Sequence, residues 1–248
     1  MELELSGKRA LVTGGSSGLG FATAAALIQE GVEVALISRS TEKLQSAQKV
    51  LGNGVQIFQA DLSTAQDTQR ILERVRSEFG AADIVVANGG GPKPGSALSN
   101  SNEDYANAIQ ANLLSQIELA RFFIDDMKAN GFGRVIAITS LYVKAPAIHM
   151  ALSNTARAGL TGYLKSLSIE VAKYGITVNS LLPGLHLTDR LINLAGGDPS
   201  ARSHETPTGK LGDPESFGKV AAFLASRWSW YITGQAITVD GGATPNLI

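Results

Sequence analysis

Seven short apolar runs punctuate the chain, and most of the segments between them carry apolar residues at helical spacing. "RALVTG" (9–14), "EVALIS" (33–38), "VQIFQAD" (55–61), "DIVVAN" (83–88), "RVIAITS" (134–140), "ITVNSLLPG" (176–184) and "QAITVDGG" (235–242) read as strands. The intervening patterns predict helices over 20–31, ending at Gly31, and over 40–51, opened by a Ser/Thr cap. Further helices are expected over about 64–79, over 102–130, where Ile109, Leu113, Ile117 and Ala120 recur at helical intervals, and over 152–174. Strand alternating with helix builds right-handed βαβ units and a parallel sheet. Strands without polar alternation are the kind buried on both faces.

One stretch breaks the pattern. Residues 185–213 are rich in Gly, Pro, Ser and Thr and exceed an ordinary connection in length. They follow the carboxyl end of a strand, where ligands bind in open α/β sheets. A lid is expected there, with a plain loop as the alternative.

The charge balance works by exclusion. Twenty-one Lys and Arg stand against 22 Asp and Glu, so the basic excess of a nucleic-acid binder is missing. No apolar stretch approaches the ~20 residues that span a bilayer, and the N-terminus carries no signal-peptide pattern. A cytoplasmic protein without nucleic-acid or membrane partners is expected. The absence of cysteine rules out disulfides and thiolate metal sites, and no His/Asp/Glu spacing suggests a metal. The 27 glycines exceed the usual ~7%, and many fall in turns after apolar runs, where phosphate-binding loops need them.

"TGGSSGLG" (13–20) is such a turn, between the first strand and the first helix. Gly14 permits the tight turn, Gly18 lets backbone approach a pyrophosphate, and Gly20 lets helix and strand pack closely. Ser16, Ser17 and Leu19 belong to the same cradle, and the helix N-terminus offers free N–H groups to phosphate. A glycine-rich turn that binds nothing is the competing reading. Dinucleotide folds selective for NAD place an acid at the end of the second strand. Here that strand ends in Ser38 followed by Arg39. An arginine pairs with a 2′-phosphate through two N–H bonds, which favours NADP(H) over NAD(H). A surface arginine at a strand end is the alternative.

These stretches, with "ADL" (60–62), "ANGGG" (87–91), Asn112, Ser140 after "IAIT", "VNSLLPG" (178–184) and "ITGQAITVDGG" (232–242), resemble the short-chain dehydrogenase/reductase family over nearly the whole chain. The resemblance is strongest to its β-ketoacyl-carrier-protein reductase branch. It implies that Asp61 and Leu62 hold the adenine, that Asn88 and Gly89 flank the adenosine ribose, and that Pro183, Gly184 and Thr188 contact the nicotinamide end. Asp61 and Asn88 as mere strand-end caps remain the alternative. It also implies a homotetramer paired through the long helices 102–130 and 152–174, and a small carbonyl or alcohol substrate, with a 3-oxoacyl type as one candidate.

The resemblance assigns catalysis to Asn, Ser, Tyr and Lys. Asn112 and Ser140 match. The tyrosine slot holds Ser153 and the lysine slot, one turn on, holds Arg157. A serine hydroxyl is far less acidic than a phenol and shorter, and Arg stays protonated where Lys relays a proton. The stretch resembles an atypical subset of reductase-like members with S-N-x-x-R at this place. Arg157 could still bind ribose oxygens. Tyr142 and Lys144, just past Ser140, are substitute candidates if they face the pocket rather than solvent. His149 is another candidate acid, and His186 and His204 lie in the lid region. Two functions follow: an NADP(H)-dependent oxidoreductase with an altered proton donor, or a catalytically impaired dinucleotide-binding sensor or partner subunit. Other chemistry on the same fold, such as dehydration or epimerisation, is a third. The expected fold is one Rossmann-type doubly wound α/β domain over 1–248, with seven parallel strands in the order 3-2-1-4-5-6-7.

Overall fold

Each of the seven apolar runs forms a strand in the computed structural model, which describes residues 2–196 and 198–247. The strands are Arg9–Thr13 (β1), Glu33–Ser38 (β2), Gln56–Gln59 (β3), Ile84–Asn88 (β4), Gly133–Ile138 (β5), Ile176–Pro183 (β6) and Ala236–Val239 (β7). They pair in parallel in the order 3-2-1-4-5-6-7, as expected from the sequence. Leu11, Val85, Val135 and Val178 enter the core on one face, and Val12, Val86, Ile136 and Leu181 enter the core on the other. Burial on both faces is why the runs of the central strands β1, β2, β4 and β5 lack polar alternation.

Helices Gly18–Gln29 (α1), Thr41–Leu51 (α2), Ala65–Glu78 (α3), Asn102–Ile109 (α4), Ser115–Arg121 (α5), Ile124–Asn130 (α6), Ala151–Val171 (α7), Asp189–Ala195 (α8) and Pro214–Ala225 (α9) cover the sheet. Strand order reverses between β1 and β4, and the crevice at their carboxyl ends is where such sheets bind ligands. On the β1 side, α1 and α9 touch backbone to backbone: a Cβ at Gly218 would lie 2.3 Å from the Ala22 carbonyl oxygen. Gly218→Ala is expected to force these helices apart. The overpacking outweighs alanine's helical preference, and the net destabilisation should be about 1–2 kcal/mol. Thermal denaturation should show a Tm several degrees lower, and an unchanged Tm would contradict the close contact.

The helix expected over 102–130 is interrupted twice. Residues Gln110–Leu114 form one π turn, and a second break at Phe122 and Phe123 precedes α6. At the first break Asn112 is buried, and the Ser115 hydroxyl donates to the Leu62 carbonyl at 2.6 Å. At the second, Phe123 drops fully into the core while the Phe122 carbonyl accepts from Arg76. The helix expected over 152–174 is α7 from Ala151 to Val171, closed by a 3-10 turn over Ala172–Tyr174.

Residues 185–213 rise over the crevice from pinned ends. Gly212 donates to the Leu185 carbonyl and Leu187 donates to that of Gly212. Between these ends lie α8 and a 3-10 stretch, Pro199–Glu205. Gly197, within this expected lid, falls outside the described residues.

Candidate functional site

The carboxyl ends of β1, β2, β4, β5 and β6 surround a cleft of about 1350 Å³. Its floor is the turn between β1 and α1. Gly14 and Gly18 both adopt positive φ (59° and 58°), and α1 begins at Gly18, earlier than the expected 20. A Cβ at Gly20 would lie 2.4 Å from the Gly14 carbonyl oxygen, so a side chain there would break the turn. The Asn88 side-chain amide donates to the same Gly14 oxygen at 3.3 Å. Thr13 accepts from the Asn88 N–H at 2.9 Å and donates to its carbonyl at 2.8 Å. Asn88 therefore ties the glycine turn to β4. Ser16, Ser17 and Leu19 line the cleft beside it, and Ser16 shares a 2.8 Å hydroxyl contact with Ser38 at the end of β2.

Arg39 follows in the same wall. Among the described residues it pairs with no carboxylate. Asp61 and Leu62 line the adjoining wall, and the Asp61 carboxylate accepts from the Ser63 N–H at 3.1 Å. Gly89, Pro183, Gly184 and Thr188 border the far end. Thr188 caps α8 by accepting from Leu191, and its methyl group would sit 3.6 Å from a Cβ at Gly18. The fold thus brings the residues expected to hold cofactor to one cleft, except Gly20, which packs behind the turn against Gly14.

Asn112, Ser140, Tyr142, Ser153 and Arg157 line the same cleft. Ser140 accepts the Tyr142 N–H at 3.2 Å, which leaves its own hydroxyl proton to donate elsewhere. Ser153 and Arg157 are buried on one face of α7. The Arg157 guanidinium donates to the Ile138 carbonyl at 2.8 Å and to that of Gly89 at 3.1 Å. Burial pushes its pKa down to about 10, and the nearby Arg190 presses the same way, so it remains a cation at neutral pH. It cross-links the end of β5 to the turn after β4.

The substitute candidates separate. Tyr142 is half-buried in the cleft, and His149 is exposed at its rim. Lys144 is not a cleft residue; its backbone carbonyl accepts from Asn246 instead. The cation beside Tyr142 is Arg202, whose protonated form is favoured first by Glu205 and, less strongly, by the tyrosine hydroxyl. His186 packs edge-on against Phe217 at 5.1 Å, and burial lowers its pKa, so it is a neutral wall residue turned into the fold. His204 lies outside the cleft, its Nδ1 2.7 Å from the Ala201 carbonyl oxygen. Arg190 and Arg202 are cleft residues that sequence reasoning missed. Their only signal is position, within the segment after "VNSLLPG". Among the described residues no cluster suited to a metal is present, and no helix is long and apolar enough to cross a membrane.

Sheet order, glycine turn and crevice together define a Rossmann-type α/β fold of the class that binds dinucleotides at such a crevice. Residues 14–244 match the family model described as enoyl-(acyl carrier protein) reductase, and the chain belongs to the short-chain dehydrogenase/reductase family. It is 35% identical over 240 residues to a 3-oxoacyl-[acyl-carrier-protein] reductase of Rickettsia bellii, covering 97% of this chain and 98% of the relative. It is 33% identical to the Escherichia coli reductase of the same name, with the same coverage. Among solved structures it is similar to an L-sorbose reductase of Gluconobacter frateurii complexed with NADPH and L-sorbose. The identity there is 32%, the TM-score 0.93 and the coverage of each chain 100%. It is also similar to YwfH, an NADPH-dependent reductase involved in bacilysin biosynthesis, at 28% identity, TM-score 0.91 and coverage of 98% and 100%.

Proposed function

We propose that the chain is an NADP(H)-dependent oxidoreductase that interconverts a small carbonyl compound and its alcohol, with a proton donor other than a tyrosine on α7. The observation that carries this reading is Arg39, a cation without a carboxylate partner among the described residues, at the acid-free end of β2 beside the glycine turn. The residues present fit the cofactor: Gly14 and Gly18 hold backbone where side chains would strain, and the N-terminus of α1 faces the cleft. Two structurally similar enzymes bind or depend on NADPH, and the curated relatives act on 3-oxoacyl groups, which makes such a group a candidate substrate class.

Bound NADP(H) would supply or accept hydride. Ser16 and Ser17 would hold the pyrophosphate and Arg39 the 2′-phosphate; Asp61 and Leu62 would border the adenine. At the far end the Ser140 hydroxyl would hydrogen-bond to the substrate oxygen and keep its proton, and Tyr142, with Arg202 beside it, would transfer the single proton that completes the alcohol and regain one from water. Asn112, Pro183, Gly184 and Thr188 would frame this end. A homotetramer paired through the helices on the α7 side, where Phe122, Tyr163 and Tyr174 line a surface groove, belongs to the same proposal.

The bonds of Arg157 favour a second reading. Its two Nη groups donate to backbone carbonyls, so it acts as a structural crosspiece, as a non-catalytic dinucleotide-binding sensor or partner subunit would retain it. A carbonyl panel assayed with NADPH and NADH, beside direct cofactor titration, separates the two readings. Arg39→Ala is expected to weaken NADPH binding on the order of tenfold or more, the size of a lost charge-assisted bond, and to leave NADH little changed. Equal affinity of the parent protein for both cofactors would overturn the NADP(H) assignment.

A further inference from the structure

Three arginines from three elements converge on one run of three glycines. Arg157 of α7 donates to the Gly89 carbonyl. The Arg39 guanidinium, past β2, would lie 4.0 Å from a Cβ at Gly90. Arg190 of α8 donates to the Gly91 carbonyl at 3.2 Å and to that of Pro92 at 3.4 Å. Among the described residues none of the three pairs with a carboxylate. Two have an account already: Arg39 suits a 2′-phosphate, and Arg157 braces β5 against the turn after β4. Arg190 has none.

We infer that Arg190 is an anion-binding residue of the cofactor cleft, closing over the middle of the dinucleotide and holding its pyrophosphate. The inference rests on the NADP(H) reading above. The first turn of α8 stands against the glycine turn, because Thr188 approaches Gly18 there. From that wall the Arg190 side chain reaches the opposite one at Gly91 and Pro92, so its guanidinium spans the cleft above the pyrophosphate cradle. Gly91 makes the room: a Cβ there would lie 2.4 Å from the Arg190 Nη2. Both of its bonds are long and run to neutral carbonyls, which leave the charge uncompensated. The side chain keeps contact with solvent, yet the partial desolvation of its guanidinium between the walls still disfavours the charge, and Arg190 in turn presses on the buried Arg157. A phosphate group between the walls would relieve both effects and would replace two weak contacts with charge-assisted ones. The cradle at α1 meets one side of the pyrophosphate, and Arg190 covers the other.

Equilibrium titration of the full chain with NADPH, NADH and 2′-AMP tests this, with Arg190→Met as the main variant. 2′-AMP carries the 2′-phosphate and lacks both phosphates of the pyrophosphate. Arg190→Met should weaken NADPH and NADH together by roughly ten- to hundredfold, with their affinity ratio unchanged. Its 2′-AMP affinity should stay within about threefold of the parent, and Arg190→Lys should recover part of the loss. Gly91→Ala, which displaces the guanidinium without removing it, should give the same pattern and serves if the first variant folds poorly. Unchanged NADPH affinity with a raised KM for an anionic substrate would overturn the assignment in favour of a substrate carboxylate. A changed NADPH-to-NADH ratio would overturn it in favour of the 2′-phosphate. A parent protein that binds neither dinucleotide would bring down the cofactor reading itself, and the role of Arg190 with it.

Discussion

Replacing Ser153 by tyrosine and Arg157 by lysine in one chain is expected to raise carbonyl reduction by roughly 10²–10⁴-fold, the range that a positioned general acid contributes. Both residues are buried on the same face of α7, one turn apart, at the wall of the cleft. A lysine beside the new phenol would lower its pKa from about 10 towards the working range. Ser153→Tyr alone should gain less, because Arg157 is already bound to the Ile138 and Gly89 carbonyls. Arg157→Lys leaves a single ammonium for two carbonyls, at a cost of about 1–3 kcal/mol in stability. The measurement is therefore steady-state NADPH oxidation with a panel of 3-oxoacyl and simple ketone substrates, normalised to folded protein. A double variant that binds NADPH normally and remains as slow as the parent would show that the missing pair is not what limits this site.

Tyr142→Phe carries the second large effect. If the phenol at the mouth of the cleft delivers the proton, its removal should reduce turnover by roughly 10²–10⁴-fold while NADPH affinity stays the same. The substitution keeps the ring and the 3-10 turn, so the Tyr142 N–H still reaches Ser140. Unchanged turnover in a parent with measurable activity would remove Tyr142 and leave water or the rim residue His149. Unchanged turnover in a parent already as fast as ordinary reductases would defeat both the lost-acid and the relocated-tyrosine accounts.

The sheet was legible because the central strands β1, β2, β4 and β5 are written as nearly continuous apolar runs, and the order followed from the family resemblance as well as from alternation. The placement of the glycine turn and Arg39 at the cleft was legible for a similar reason. Gly14, Gly18 and Arg39 follow closely on strand ends, so spacing alone brings them there. What spacing misses is side-chain direction. Lys144 and Tyr142 are two residues apart, yet only Tyr142 lines the cleft. His186 sits beside Gly184 but turns its ring onto Phe217. Arg190 comes from a segment without periodicity, and its partners Gly91 and Pro92 are set by how that segment folds back, whereas Arg202 pairs locally with Glu205 three residues on. The role of Arg157 was hidden in the same way, since its partners are backbone atoms of two strand ends.

The π turn at Gln110–Leu114 has a consequence for how this part of the chain disguises its own break. Ala108, Asn112, Ser115, Leu119 and Phe123 are all buried, and they recur at intervals of four, three, four and four. An α-helix rotates about 100° per residue, so these five positions would fall within about 80° of one another on a regular helix. An unbroken helix and one that holds an extra residue in a π turn therefore carry the same inward stripe. The apolar rhythm of 102–130 writes one continuous rod, while the backbone that reads it bends the rod at Asn112 and again at Phe122 and Phe123.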